Sequence, residues 1–150
     1  MTFALTTDDL VIVGLTATDK ADATRQLAER LHAAGRVTDL DGFLDDVTAR
    51  EAQMATGLPG GIGIPHARSA HVVAPSVAVA TSTDGVDFGA ADGPATLLFL
   101  IAAPDGAGDA HMTIIAALAR KLVHEEFRSS LRAATTPAEI AAVITQEVKA

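Results

Sequence analysis

Apolar positions recur along the chain with two distinct periods. Leu10–Val13 is a short continuous apolar run, and Val77–Thr81 and Thr96–Ala102 are two more; each predicts a buried strand. Between the first two, apolar residues recur at helical spacing. Ala23, Leu27, Leu31 and Ala34 lie along one face of a helix predicted over Ala21–Ala34, with Thr18 and Asp19 as capping oxygens and Gly35 as its stop. A second helix is predicted from Asp39 or Asp41 to about Ala55, with Phe43, Leu44, Val47 and Met54 inward. Gly57–Gly63 reads as a glycine-rich turn leading into Ile62 and Ile64 at strand period and then Pro65–His66. Thr83–Gly93, with Gly85, Gly89 and Gly93, predicts a loop or hairpin, and Asp105–Gly108 a tight turn. Three helices close the chain. The first is capped by Asp109 and runs to about Leu122, and the second spans Glu125–Ala133. The third starts at Thr135–Thr136–Pro137 with proline in its first turn.

Strands that are apolar almost throughout, separated by helices, imply a sheet covered on both faces. The predicted fold is a three-layer α/β/α domain with a mixed, mostly parallel sheet, and the 150 residues suit a single domain over 1–150. Hydrophobic residues make up 49% of the chain but aromatics only 3%, so the core is aliphatic and no stacking platform for bases exists. A net charge of -8 opposes binding to a phosphate backbone and favours a partner with a basic face. With no cysteine, disulfides, thiolate chemistry and cysteine zinc sites are excluded. The N-terminal stretch lacks a basic n-region and the longest apolar runs are too short to span a bilayer. The expected location is the cytoplasm, with no direct membrane insertion.

The chemistry concentrates in Arg50–Arg68, REAQMATGLPGGIGIPHAR. A histidine directly after proline at the end of a glycine-rich strand entry is held in a defined place. Gly61 and Gly63 leave room there, and their backbone N–H groups are candidate ligands for a phosphoryl oxygen. Neutral imidazole is a nucleophile near neutral pH, and phosphoryl transfer needs mainly positioning and charge stabilisation. Spacing alone leaves a second reading open, that of an exposed loop histidine with no chemistry.

Thr56–Gly57–Leu58, Gly61–Ile62 and Ile64–Pro65–His66 resemble the active-site motif of the fructose/mannitol (type 2) class of EIIA domains in the bacterial phosphoenolpyruvate-dependent sugar phosphotransferase system. That motif reads roughly Thr-Gly-Ile-Gly-Asn-Gly-Ile-Ala-Ile-Pro-His-Gly and follows an Arg-Glu pair, as Arg50–Glu51 does here. Val86–Asp87–Phe88–Gly89 with Asp92–Gly93, Leu98–Phe99–Leu100 with Pro104, and Ala110–His111–Met112 with Leu118–Ala119–Arg120 resemble further family segments in the right order. Pro59, Gly60, Gly63 and Ala67 depart from the motif, all with small or turn-compatible residues.

The resemblance implies a histidine phosphoryl carrier, a phosphotransferase component working without cofactor or metal. His66 would take phosphate from phospho-HPr and pass it to an EIIB domain for uptake of a sugar of the fructose class. It implies His111 as the second active-site histidine, near the start of a helix whose N-terminus attracts anions, and Arg50 as a cation with two donors for an oxyanion. Glu51 is expected to orient Arg50. A first-turn histidine packed on the core and a solvated helix charge are the plainer readings of His111 and Arg50. His32, His71 and His124 read as surface histidines, and Asp87 and Asp92 as turn formers. The partners implied are HPr and EIIB, with no nucleic acid, and with any tie to a membrane EIIC running through a partner or a fusion. The alternative within the same resemblance is a regulatory EIIA of the nitrogen-related branch, whose phosphohistidine is a signal. A metalloprotein built on His66 and His111 lacks the rest of a ligand set in this sequence.

Overall fold

The computed structural model describes residues 4–106 and 110–148. Its elements in chain order are β1 (Val11–Ile12), α1 (Lys20–Ala33), α2 (Leu40–Gln53), β2 (Gly57–Leu58), β3 (Ile62–Gly63), β4 (His66–Ser69), β5 (Ser76–Val86), β6 (Ala95–Pro104), α3 (Ala110–Leu122), α4 (Glu125–Ala133) and α5 (Pro137–Glu147). A turn of 3-10 helix, Asp8–Leu10, precedes β1 and takes Leu10 out of the expected strand.

Among the described residues the strands form one mixed sheet. β5 and β6 are antiparallel at its centre, with Val79 opposite Phe99. β1 runs parallel to β5 at one edge. At the other side β3 and β4 both run parallel to β6, and β2 pairs antiparallel with β3. Ile62 faces Leu97 and His66 faces Ile101, so β3 and β4 keep one register and act as a single strand interrupted at Ile64–Pro65.

The continuous apolar runs Val77–Ala80 of β5 and Leu97–Ala103 of β6 follow from cover on both faces. Ala78, Ala80, Leu98 and Leu100 pack with Leu27 and Leu31 of α1 and Phe43 and Val47 of α2. Val77, Val79, Leu97, Phe99 and Ile101 pack with Ile114 and Leu118 of α3, Leu131 of α4 and Ile144 of α5. These are the two cores of a three-layer arrangement, as the sequence pattern predicts.

Local signals hold where they are strongest. Asp39 caps α2, accepting from Gly42 N at 3.1 Å, and Thr136 caps α5 with Pro137 beside it. Other expectations need correction. α2 ends at Gln53; Met54 turns into an extended conformation and is 70% exposed, because leaving the helix rotates it off the inward face. Gly57–Gly63 folds as the β2–β3 hairpin, and β5 continues to Val86 through an irregularity after Thr81. The expected cap Asp109, and part of the turn before it, lie outside the described residues.

Candidate functional site

α2 and β4 are pinned together by a side-chain bond. Ser69, 2% exposed, donates its hydroxyl to Asp46 at 2.6 Å. One helical turn beyond Asp46, about 6 Å along the axis, lies Arg50; three residues before Ser69, about 10 Å along the strand, lies His66. Gly42 stands against the His71 ring, Asp46 bonds Ser69, and the charges of Arg50 and Glu51 act on His66. Helix and strand therefore run in opposite senses, and the end of α2 meets the start of β4. Ala67 and Ser69 point toward α2, and side chains alternate along a strand, so His66 projects to the other face. Ile62 and Ile64 pack on that face with the α3–α5 core. β4 pairs with β6 alone among the described residues, so it forms an edge where groups from both layers can meet.

His66 is half-buried, and its Nδ1 stands 2.9 Å from the carbonyl oxygen of Ile64. A carbonyl only accepts, so Nδ1 carries the ring proton and Nε2 keeps its lone pair. Proline before His66 fixes the approach of the chain, and its carbonyl accepts Ile101 N–H at 3.0 Å. Burial pushes the His66 pKa below its ordinary value, with the positive charge of Arg50 acting in the same direction. The bond to Ile64 and the negative charge of Glu51 act against it. The site therefore favours a neutral imidazole with a bare Nε2, the form required of a nucleophile.

Arg50 is half-buried at the end of α2, with Nη1 donating to Met54 O at 3.2 Å. Glu51 does not orient it. Its carboxylate accepts the Thr56 N–H at 2.9 Å and the Thr56 hydroxyl at 2.7 Å, and lies 3.5 Å from Lys20 Nζ. The two neighbours diverge because successive positions on a helix are about 100° apart. Sequence reading attached no role to Thr56 or Lys20; the Thr56–Gly57 pair was the available signal for the first. The Asp46–Ser69 clamp spans 23 positions and leaves no local trace.

The structure does not bring Gly61 or Gly63 to the His66 ring. Gly61 (φ 74°) sits at the hairpin tip, where its carbonyl accepts from Thr96 and Leu97 N–H. That is five strand positions from His66, roughly 16 Å along β6. Gly63 faces Phe88: a Cβ there would stand 2.9 Å from its ring. Both glycines shape the hairpin, because β3 and β4 run straight along β6. Gly57 lies close against neighbouring backbone: its N–H bonds Phe88 O at 2.9 Å, and a Cβ there would stand 2.6 Å from Phe88 O and Ala90 N.

α3 starts at Ala110, which puts His111 in its first turn, and α3 packs on the face toward which His66 projects. The His111 side chain lies outside the described residues. His32 and His124 are exposed, as expected. His71 is half-buried instead, its ring over Gly42 and its Nδ1 4.0 Å from Asp39. The exposed carboxylates of Asp87 and Asp92 accept from Gly89 N and Gly60 N at 2.8 and 2.9 Å, the role of turn formers.

The family model described as "Phosphoenolpyruvate-dependent sugar phosphotransferase system, EIIA 2" matches residues 4–147. A relative described as the PTS system fructose-specific EIIA component of Haloferax volcanii is 44% identical over 117 residues, covering 77% of this chain and 76% of that protein. The PTS system fructose-specific EIIABC component of Bacillus subtilis is 34% identical over 97% of this chain, which spans 23% of that longer protein. Among solved structures, the nitrogen regulatory protein IIA-Ntr of Neisseria meningitidis superposes with a TM-score of 0.84 at 25% identity, covering 93% of this chain and 96% of that one. The chain belongs to the type 2 EIIA family of the phosphoenolpyruvate-dependent sugar phosphotransferase system, whose members are phosphotransferase components carrying a phosphohistidine.

Proposed function

We propose that His66 is the phosphoryl acceptor of this EIIA protein, taking phosphate from phospho-HPr and passing it to an EIIB domain for uptake of a fructose-class sugar. The observation that carries this reading is the Nδ1 bond to Ile64 O, which leaves Nε2 as the only ring nitrogen able to attack. As the bond from Nε2 to phosphorus forms, the P–N bond to the donor histidine breaks and its electron pair returns to the donor ring. No proton moves at His66, because Nδ1–H still donates to Ile64 O. The phosphorylated ring is cationic and is stabilised by that carbonyl. Arg50, from one layer, supplies positive charge and two donors to the phosphoryl oxygens, and His111, from the first turn of α3, supplies a donor beside the partly positive helix end. The 44% identity to a fructose-specific relative supports the sugar class, and the net charge of -8 suits a basic HPr face. The setting proposed is the cytoplasm; among the described residues no helix is long and apolar enough to cross a membrane. Residues 1–150 act as one EIIA unit in this proposal. The test is sequential: phospho-HPr first, then a panel of EIIB domains, with label followed at each stage. The account expects loss of label to a fructose-class EIIB; a chain that loads but serves no EIIB supports the regulatory role instead. The likeness to IIA-Ntr is the observation behind that second reading.

The acceptance rate requires neutral His66. It rises with pH through the lowered pKa and is flat above it, so the acid limb lies below about pH 6.5. Removing a positive charge that lowers this pKa, in Arg50→Gln, moves the limb toward higher pH. Removing a negative charge that raises it, in Glu51→Gln, moves the limb lower. Acceptance rates across pH for the three proteins check the signs.

Arg50 and His111 act as stabilisers and not as carriers. Losing one preorganised donor costs on the order of 10²–10³ in rate where a single group does most of the work. Here two side chains and a helix end share it, so Arg50→Ala and His111→Ala each slow transfer by roughly tenfold and still load phosphate at His66. Arg50→Lys recovers part of the loss, lacking the forked geometry. Rapid-quench kinetics on the single and double variants check this, with a double effect smaller than the product of the singles.

A further inference from the structure

The geometry points to Thr56 as a positioning residue for His66, acting through Glu51 on one side and the Ile64 peptide on the other. The inference rests on the reading of His66 as the phosphoryl acceptor and deepens it.

Thr56 is 5% exposed and stands where the chain leaves α2 for β2. It uses both oxygens of Glu51, with its amide on Oε2 and its hydroxyl on Oε1. Two bonds from one residue to one carboxylate fix position and orientation together, and bonds to a charged acceptor are the stronger kind. Lys20, from α1, balances the carboxylate from outside. The β-branched side chain has little χ1 freedom to lose. With Thr56 so held, its carbonyl accepts the Ile64 N–H at 3.2 Å. The opposite end of that residue, the Ile64 carbonyl, accepts the His66 Nδ1–H at 2.9 Å. The links run Lys20, Glu51, Thr56, Ile64, His66, and the last decides which ring nitrogen is bare.

Ile64 depends on this support. It lies between β3 and β4, where pairing to β6 is interrupted, so Thr56 supplies the hydrogen bond to its N–H. The Thr56 bond holds the Gly63–Ile64 peptide, and the Ile64 ψ angle relays that to the carbonyl in the next peptide; without Thr56 in place the carbonyl loses its fixed direction. His66 then carries its proton on either nitrogen, and part of the population presents a protonated Nε2 that cannot attack. A threonine with a merely structural role as a turn residue would affect stability and leave the tautomer alone.

The decisive readout is the ring ¹⁵N spectrum of His66 in the full-length, unphosphorylated protein. Wild type gives a protonated Nδ1 and a bare Nε2. Thr56→Val moves both signals toward a tautomer mixture and lowers the acceptance rate by roughly tenfold to a hundredfold, the scale of a lost hydrogen bond to a charged group. Thr56→Ser, which keeps the hydroxyl, restores both. Where Thr56→Val fails to fold, Glu51→Gln carries the same test, since the amide retains one acceptor oxygen for two donors. Ile144→Val, in α5 at the far edge of the sheet, keeps the wild-type ring signals. Unchanged His66 signals in Thr56→Val and Glu51→Gln, or a shift that Thr56→Ser does not reverse, overturn the inference. The spectrum needs no phosphoryl donor. A wild type that takes no phosphate therefore defeats the acceptor reading, while the ring signals still decide the link between Thr56 and His66.

Discussion

His66→Ala takes up no phosphate from phospho-HPr, and the variant remains folded. The first half follows from the division of roles. Among the described residues, His66 combines an Nδ1 proton tied to a backbone carbonyl with a place at the sheet edge between both layers; His32 makes the same kind of bond to Val37 O but stands exposed on α1. No other group at that position can form the P–N bond. The second half follows from how the ring is held. Its bond goes to Ile64, two residues away, while β4 is held to β6 by backbone pairing and to α2 by Ser69 and Asp46. Truncating a half-buried ring that is costly to charge removes little packing, so the stability change stays within about 1 kcal/mol. That corresponds to a shift of about 2–4 °C in Tm for a chain of this size. Intact mass after incubation with phospho-HPr, together with a thermal melt, reads both halves. Full labelling of this variant contradicts the assignment; an unfolded variant contradicts the account of how the ring is held.

Gly57→Ala is expected to have the largest structural effect of a one-carbon change in this region. An added Cβ would stand 2.6 Å from both Phe88 O and Ala90 N, which are backbone atoms and cannot rotate away. The same approach carries the Gly57 N–H to Phe88 O bond. Backbone must move, and the hairpin that carries Thr56 and Ile64 moves with it. Overpacking of this kind costs about 1–3 kcal/mol, a fall of about 2–12 °C in Tm at 2–4 °C per kcal/mol. Acceptance at His66 falls as well, because Ile64 N–H depends on the Thr56 carbonyl beside the altered residue. Gly14→Ala is the useful comparison: its φ of 75° strains any side chain, but an added Cβ there meets nothing within 4 Å. Equal melting temperature and rate for Gly57→Ala and wild type would contradict the close approach as the reason for glycine at this position.

The parts of the fold legible in the sequence are those whose causes are local. α5 starts at Pro137 after the Thr136 cap, because a capping oxygen and proline act within a few residues, and α4 spans the predicted Glu125–Ala133 with Phe127 and Leu131 buried at helical spacing. The two covered faces of the sheet were legible because each leaves its own alternate set of apolar residues on β5 and β6. The site was half legible. His66, Arg50 and Glu51 stand out by type and spacing, but what each touches depends on contacts between distant segments. Glu51 turns to Thr56 and Lys20, and no pattern within Arg50–Glu51 distinguishes that from a bond between the two. Gly61 and Gly63 look like a phosphate cradle in the linear motif. The common register of β3 and β4 on β6 sets Gly61 at the hairpin tip and Gly63 against Phe88. Met54 fits the apolar stripe of α2, yet the helix stops one residue short of it.

The central claim is that phosphate enters at one atom, Nε2 of His66. Its most direct measurement is the ring-nitrogen spectrum of the loaded protein, isotopically labelled at nitrogen and phosphorylated through phospho-HPr. The account predicts coupling to phosphorus at the His66 Nε2 alone, with Nδ1 still protonated and the phosphate lost in acid but kept in alkali. Phosphorus on Nδ1 of His66, or on His111, would contradict it.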